Sequence, residues 1–288
     1  MQTSPIDLGY SFNTLYILDC LGEDELQTGK KLNEDLNDIP FRIRRTTIKY
    51  GKARTRAKFV DYFGAIMKDC LEGKLPILHI ECHGSKKNGL EMPDGTLLLS
   101  WQELAALTRP LNEVTRNNLG IVLAACDGVY LAEQMTWVEP SPFAYLVGSD
   151  KSVGAGETSK STRAFYSTLF DTMDLPRAHS QMSEKFILYQ AWQHFFHYLG
   201  AQYKEALIGS GKKKMVEQQL SNLTKYTFAL NHLGLGKLRE IAKEVVQPTA
   251  SKYEEQCRVF FHGLVPVPFE DFMSSVEGKP TKALGGNN

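Results

Sequence analysis

The sequence places a histidine and a cysteine at the ends of two apolar segments, where they could share one proton. His83 comes just after the segment 75–80, and Cys126 follows the segment 120–125. A thiol is mostly protonated at neutral pH, and a histidine within reach can accept its proton and later protonate a leaving amine. Adjacent parallel strands lie about 4.8 Å apart, so side chains at their tips can meet. The pair predicts covalent catalysis, with Cys126 as nucleophile and His83 as general base.

Two glycines accompany this pair. Gly84 follows the histidine and Gly128 comes shortly after the cysteine, and residues without a side chain let a substrate backbone approach closely. The backbone amides of Gly84 and Cys126 are candidates for an oxyanion hole. Either half alone has a simpler explanation, because a strand-end His-Gly is often a turn and a cysteine beside two alanines is often a core residue. The two together favour the catalytic interpretation.

The segments that position these residues alternate between strand-like and helix-like patterns. Short apolar or alternating runs predict strands, and apolar residues at helical spacing predict helices. Ser100 is an expected N-cap for a helix that begins at Trp101. The alternation continues to about residue 175 and predicts an α/β fold, a mostly parallel sheet flanked by helices, with functional groups at the carboxyl ends of its strands. The predicted strands are 14–21, 41–50, 75–80, 97–100, 120–125 and 143–147, and the predicted helices are 23–36, 53–71 and 101–107.

Beyond Pro176 the pattern becomes mainly helical. An aromatic stripe from Phe186 to Leu199 at helical spacing must pack against apolar surface. We therefore divide the chain into a catalytic domain of residues 1–175 and a helical region of residues 176–288. The helical region either regulates the catalytic domain or recognises its substrate, or it completes the catalytic domain. The predicted helices here are 180–206, 213–229 and 237–246; residues 258–267 are ambiguous and fit a late strand, and residues 279–288 are an expected frayed tail.

Composition excludes several classes of protein. Apolar residues make up 42% and charged residues 23% of the 288 residues, with a formal net charge of zero, which favours a globular protein without a nucleic-acid or membrane partner. No run approaches the roughly 20 apolar residues of a membrane span, and the N-terminus does not look like a secretion signal. The cysteines are scattered without a CxxC pair, so we expect neither a zinc site nor disulfides, and a cytoplasmic location. They are Cys20, Cys70, Cys82, Cys126 and Cys257.

At the histidine and cysteine segments the chain resembles the caspase-like cysteine peptidases, specifically the CHAT branch. The resemblance covers about residues 14 to 172, and its pieces come in the order of the family. They are the strand into His83-Gly84, the turn and strand of residues 89–100 (GLEMPDGTLLLS), the strand into Cys126-Asp-Gly, the strand of residues 145–150 (YLVGSD), Glu157-Thr158, and residues 164–170 (AFYSTLF).

This resemblance implies a caspase–haemoglobinase fold and hydrolysis of peptide bonds through a thioester acyl-enzyme, without a cofactor or a metal. Carried across, His83 is the base and Cys126 the nucleophile. Relatives in prokaryotes are often tied to regulated cleavage of one partner protein, sometimes in defence, so a specific protein substrate is expected, with a regulatory partner as a further possibility. The chain departs from the family where a Trp and an acidic residue often follow the fifth strand, since Lys151 and Ala155 stand there.

Four acidic residues are candidates for a pocket that binds a basic substrate side chain. Asp19, Asp127 and Asp150 lie at strand ends, and Glu157 fits the acidic position of the family. For the three aspartates, hydrogen bonds within turns are the favoured alternative. The glycine-rich segment 151–163 is interpreted as a mobile loop at the catalytic edge or as an ordinary connection.

Two further hypotheses about the function remain open. One is a caspase-like scaffold that binds but has lost turnover, and the other is an unrelated α/β protein that binds a nucleotide or another small molecule. Retention of both His83 and Cys126 favours the peptidase over the first, and the lack of a glycine-rich phosphate loop argues against the second. A run of eight basic residues between Arg42 and Lys58 fits a solvated surface better than a nucleic-acid site.

Overall fold

Six strands form the main sheet of the structure, a computed structural model that describes residues 9–38, 46–207, 209–226 and 234–278. The order is β2-β1-β3-β7-β8-β9; neighbouring strands are parallel except for β9, which runs antiparallel to β8. The predicted mostly parallel sheet is thus confirmed. The strands are β1 (Thr14–Asp19), β2 (Thr47–Lys52), β3 (Pro76–Glu81), β4 (His83–Ser85), β5 (Gly89–Glu91), β6 (Leu97–Leu99), β7 (Gly120–Ala124), β8 (Tyr145–Ser149) and β9 (Phe186–Gln190).

Helices cover both faces of this sheet, as predicted. Leu15 and Ile17 of β1 belong to the core cluster that includes the apolar faces of the first and fourth helices. Tyr16, on the opposite face of the same strand, hydrogen-bonds Asp69 of the second helix. The helices are α1 (Thr28–Asn37), α2 (Arg56–Leu71), α3 (Trp101–Val114), α4 (Ala155–Thr172), α5 (Leu175–His179), α6 (Ala191–Leu207), α7 (Gly209–Tyr226), α8 (Leu235–Val246), α9 (Ala250–Phe260) and α10 (Phe269–Val276), with a 3₁₀ helix at Gly128–Gln134.

The start of α3 shows how the local sequence sets an element. Ser100 accepts a hydrogen bond from the backbone N–H of Glu103, and the Glu103 carboxylate accepts one from the backbone N–H of Ser100. This capping box satisfies two backbone donors that the first turn leaves unpaired. The predicted N-cap at Ser100 is confirmed.

The strongest correction to the sequence prediction concerns residues 180–206. Residues 186–190 form a strand, and the helix begins only at Ala191. The edge of β8 offers unpaired backbone groups, and β9 satisfies them by antiparallel pairing from Tyr145–Gln190 to Ser149–Phe186. The ambiguous segment 258–267 contains the end of α9 and a turn, so it is not a strand.

Two smaller differences lie on the helices nearest the histidine and cysteine segments. The predicted helix 23–36 begins at Thr28, so Glu23, Asp24 and Glu25 precede the helix. The segment 151–163 is a loop only as far as Gly154, because α4 begins at Ala155. Residues 41–45 of the second predicted strand, residues 227–229 of a predicted helix and the expected tail at 279–288 lie outside the described residues.

The chain divides into two compact units. The unit with the main sheet contains Gly9–Ala191 and Val259–Leu264, so it extends beyond residue 175 and includes β9. The second unit contains most of α6 and α9 together with α7, α8 and α10. Within it, the aromatic stripe of α6 packs partly on α10, since the rings of Phe196 and Phe272 lie 5.7 Å apart. Among the described helices, none is long and apolar enough to cross a membrane.

Several residues of the basic run are paired with acids. Lys49 contacts Asp69 at 2.6 Å, and Arg56 contacts Glu103 at 2.6 Å. Arg54 forms an ion pair with Glu23, which belongs to the acidic stretch that precedes α1. These partly exposed pairs offset the positive charges of Lys49, Arg54 and Arg56.

Candidate functional site

A pocket of about 180 Å³ lies at the carboxyl edge of the main sheet, where β3 and β7 end. The registered pair Glu81–Ala124 marks the last rung between these two strands. Polar residues at the edge and apolar residues from the loops beside α1 and α4 share the lining. The lining residues are Leu21, Glu25, Leu26, Thr28, Glu81, Cys82, His83, Ala124, Ala125, Cys126, Val153, Ala155, Thr158 and Phe186. His83 and Cys126, singled out from the sequence, therefore face one pocket.

His83 is held by a carboxylate that the sequence did not indicate. Its Nε2 lies 2.6 Å from Oε1 of Glu25, in the loop between β1 and α1. The other oxygen of Glu25 accepts the backbone N–H of Gly22 at 2.6 Å. The imidazole is 45% exposed, so it is open to a substrate while one ring nitrogen is fixed.

The charge of Glu25 is favoured by these contacts. Burial alone would raise the pKa of its carboxyl group, but the hydrogen bonds from Gly22 and His83 outweigh burial and hold this pKa below its usual value. Glu25 is therefore an ionised hydrogen-bond acceptor at neutral pH. An ionised acceptor at Nε2 fixes the orientation of the imidazole ring.

Cys126 lies in the turn that follows β7. Its side chain is partly exposed, and its thiol lies 3.5 Å from Oγ of Ser152. The next residue, Asp127, has a φ of 59°, a left-handed conformation that reverses the chain sharply after the strand. The Asp127 carboxylate accepts the backbone N–H of Lys86 at 3.0 Å, and so ties this turn to the hairpin that carries His83.

Gly84 brings the two segments together. A Cβ atom at this position would lie 2.4 Å from the backbone oxygen of Cys126 and 3.3 Å from the Cβ of Ala125. Only a residue without a side chain permits this approach. The amides of Gly84 and Cys126, the candidate oxyanion hole, thus belong to segments in direct contact.

The thiol and the imidazole each have another partner. In the ranges that the structure describes, the Cys126 thiol bonds Ser152 and the His83 ring bonds Glu25, and no hydrogen bond joins the two side chains. Catalytic hydrogen bonds are often long or misaligned without substrate. Direct proton transfer between the two therefore needs a rotation of the Cys126 or His83 side chain.

The four acidic candidates lie elsewhere. Buried Asp19 accepts hydrogen bonds from Tyr50 and from its own turn, and Asp150 is exposed at the end of β8. Asp127 bonds Lys86 as described, and Glu157, on α4, pairs with Lys185 at 2.7 Å. None of the four is among the residues that line the described pocket, whose carboxylates are Glu25 and Glu81.

Glu81 forms the polar floor of the pocket. Its two oxygens accept hydrogen bonds from Thr28 at 2.7 Å and pair with Nε2 of His79 at 2.9 Å, and the other ring nitrogen of His79 lies 3.0 Å from the Tyr166 hydroxyl. All four groups are at least nine-tenths buried. The sequence signal is the spacing of His79 and Glu81 in an apolar strand, which places both on one face.

The chain matches no protein-family model and no curated protein. The resemblance to caspase-like peptidases therefore rests on the sequence motifs alone. The pocket is a separate observation, because the positions of His83, Cys126 and Glu25 follow from the strand order and the loop contacts.

Neutralising Glu25 should slow any reaction that uses His83 as its base. In a Glu25→Gln variant we expect kcat to fall by about 10- to 100-fold with little change in KM, because an amide can hold the ring but cannot stabilise its positive charge. Steady-state kinetics at pH 7 would measure both parameters.

The matched control is Glu23→Gln, which alters a nearby acid that pairs with Arg54 outside the pocket. This variant should keep the kcat and the KM of the unmodified protein. An unchanged kcat in Glu25→Gln would show that the contact with His83 has no role in catalysis.

Proposed function

We propose that the protein is a caspase-like cysteine endopeptidase that cleaves a specific protein partner. The observation that carries the proposal is the shared pocket of His83 and Cys126, with His83 bonded to an ionised carboxylate. A nucleophile, a base and a group that orients the base are the three parts of cysteine-dependent acyl transfer. The CHAT resemblance of residues 14–172 supports the same assignment.

The tautomer of His83 follows from its contact with Glu25. Because an ionised carboxylate only accepts hydrogen bonds, Nε2 carries a hydrogen and donates it to Glu25. In the neutral ring, Nδ1 is then the nitrogen that can accept a proton. In this mechanism Nδ1 takes the thiol proton of Cys126 when the two side chains meet.

The reaction proceeds in two halves. The Cys126 thiolate attacks the substrate carbonyl carbon, and the amides of Gly84 and Cys126 stabilise the oxyanion. The tetrahedral intermediate collapses as Nδ1–H of His83 protonates the departing amine, which leaves a thioester on Cys126. A water molecule then gives a proton to Nδ1 and attacks the thioester. The second tetrahedral intermediate then collapses and releases the carboxylic acid. Nδ1–H of His83 returns its proton to the departing sulfur, which restores the Cys126 thiol.

A scaffold without turnover is the second candidate, and one observation favours it. The side chains of Cys126 and His83 are each hydrogen-bonded to another side chain. Among the described residues, no hydrogen bond joins the two members of the dyad. In a scaffold the pocket would bind a peptide without cutting it. Hydrolysis distinguishes the two functions.

Incubation with a mixed library of unfolded peptides tests the proposal. We expect new peptide termini, detected by mass spectrometry, with the unmodified protein and none with Cys126→Ala. Peptides bound but left intact by both proteins would support the scaffold. Equal cleavage by both proteins would overturn the assignment of Cys126.

A further inference from the structure

Two thiols face each other directly behind the candidate base. The ladder between β1 and β3 ends at the pair Asp19–Glu81, and the backbone N–H of Cys20 continues it with a 2.8 Å hydrogen bond to the oxygen of Glu81. Cys20 and Cys82 are therefore the next neighbours on the two strands, and their side chains share one face. Both cysteines are free thiols.

Cys82 connects this thiol pair to the pocket. It lines the pocket and immediately precedes His83. Its thiol donates a hydrogen bond of 3.1 Å to the backbone oxygen of Glu91, and Glu91 is the strand partner of His83 in the small antiparallel sheet. A chemical change at the Cys82 sulfur therefore acts on the strand pair that holds the candidate base.

We propose that Cys20 and Cys82 form a covalent modification site, which hydroperoxides convert from a dithiol into a disulfide. The spacing supports this, since paired positions of neighbouring strands lie within the range of Cα separations that a disulfide spans. Nothing in the candidate peptidase mechanism uses either thiol. The formation of the bond is independent of the proposed function, whereas its effect on turnover rests on that function.

The oxidation proceeds in two steps. The Cys82 thiolate attacks one peroxide oxygen, the O–O bond breaks, and Cys82 becomes a sulfenic acid while water or an alcohol leaves. The Cys20 sulfur then attacks the Cys82 sulfur and displaces water. Two thiol hydrogens and two electrons pass to the peroxide, so hydrogen peroxide yields one disulfide and two water molecules.

The environments of the two thiols set this order. Cys82 is 4% exposed and lines the pocket, whereas Cys20 is 0% exposed and does not line it. The neighbouring Cys82 thiol, together with burial, raises the pKa of the Cys20 thiol well above its usual value. Cys20 is therefore the resolving thiol and not the first to react.

Oxidation should weaken the hold on His83. A disulfide sulfur has no hydrogen, so the bond from Cys82 to the Glu91 oxygen is lost when the disulfide forms. The oxygen of Glu91 then loses a donor beside the strand pair His83–Glu91. We expect the oxidised protein to turn over substrate at least about 10-fold more slowly, since small displacements of a catalytic group have large effects on rate.

The test begins with the Cys126→Ala variant, in which the candidate nucleophile cannot be oxidised. The full chain is treated with hydrogen peroxide, its remaining thiols are blocked with N-ethylmaleimide, and it is digested without reduction. We expect a cross-linked peptide that joins Cys20 to Cys82, with a mass two hydrogens below the sum of the two peptides. Reduction with dithiothreitol should remove it.

Two variants sharpen the result. Cys20→Ser in the same background should give no cross-link and should leave Cys82 as a sulfenic or sulfinic acid, whereas Cys257→Ser should give the normal cross-link. Peroxide treatment that leaves Cys20 and Cys82 unlinked in a folded protein would overturn the proposal. A cross-link in Cys126→Ala, together with no peptide hydrolysis by the unmodified protein, would support the modification site and count against the peptidase alone.

Discussion

Replacement of either His83 or Cys126 by alanine should lower kcat/KM for peptide hydrolysis by a factor on the order of 10³ or more. The double variant should be no slower than the worse single variant. A base without its nucleophile, or a nucleophile without its base, performs none of the covalent chemistry, so the two losses do not add.

A double-mutant cycle tests this expectation. It compares kcat/KM for one cleaved peptide in four proteins: the unmodified chain, the two single variants and the double variant. His197→Ala is a control, because this histidine is exposed on α6 and lies in the second compact unit. Circular dichroism should be unchanged in all variants. Near-normal turnover by His83→Ala would place the base elsewhere, and additive losses would show that the two residues act independently.

Gly84→Ala should disable the site through its backbone. The new Cβ would lie 2.4 Å from the backbone oxygen of Cys126, so one of the two segments must move. We expect turnover to fall by about 100-fold, since a displacement near 1 Å is enough for such a loss. The free energy of unfolding should fall by about 1–3 kcal/mol, the usual cost of overpacking. Urea unfolding and peptide hydrolysis measure the two effects.

Gly64→Ala is the matched control for this substitution. Gly64 lies inside α2, and a Cβ there would meet no atom within 4 Å. Alanine is the better helix former, so this variant should be stabilised by about 0.5–1 kcal/mol and keep full turnover. Full turnover and stability in Gly84→Ala would show that the His83 and Cys126 segments are not as close as described.

The sequence was sufficient to predict the centre of the sheet. The segments of β1, β3 and β7 are nearly continuous apolar runs, because a central parallel strand is buried on both faces. Their order along the chain, with helices between, leads directly to a parallel sheet whose carboxyl edge carries His83 and Cys126. Both the fold class and the meeting of these two residues at one pocket were predictable for that reason.

Edge elements were harder to predict. The aromatic residues Phe186 and Tyr189 continue the helical spacing of the aromatic residues that follow them. A segment of five residues is too short to distinguish the helical repeat of about 3.6 residues from the strand repeat of two. What decides for a strand is the free edge of β8, a tertiary feature. No helix was predicted at α4, and the buried face of its first two turns carries Thr158, Ser161 and Thr162, which are not typical of an amphipathic helix.

Glu25 was missed for a different reason. It lies 58 positions before His83, and no local pattern links the two. In the sequence it resembles an acidic residue in the first turn of a helix, but the helix begins three residues later at Thr28. A side chain that acts across a loop can be assigned only when the loop conformation is known.

The alkylation rate of Cys126, with and without His83, tests the central claim most directly. The other four cysteines are buried and less accessible to iodoacetamide, a reagent larger than hydrogen peroxide. Preferential labelling of Cys126 would therefore show only that it is more exposed. The informative comparison is the rate at pH 7 in the unmodified protein and in His83→Ala, followed by peptide mapping. We expect Cys126 to be labelled first and at least about 10-fold more slowly in the variant, because the thiolate is the reactive form and His83 accepts its proton. Equal rates in the two proteins, or faster labelling of another cysteine, would contradict the pairing of His83 with Cys126.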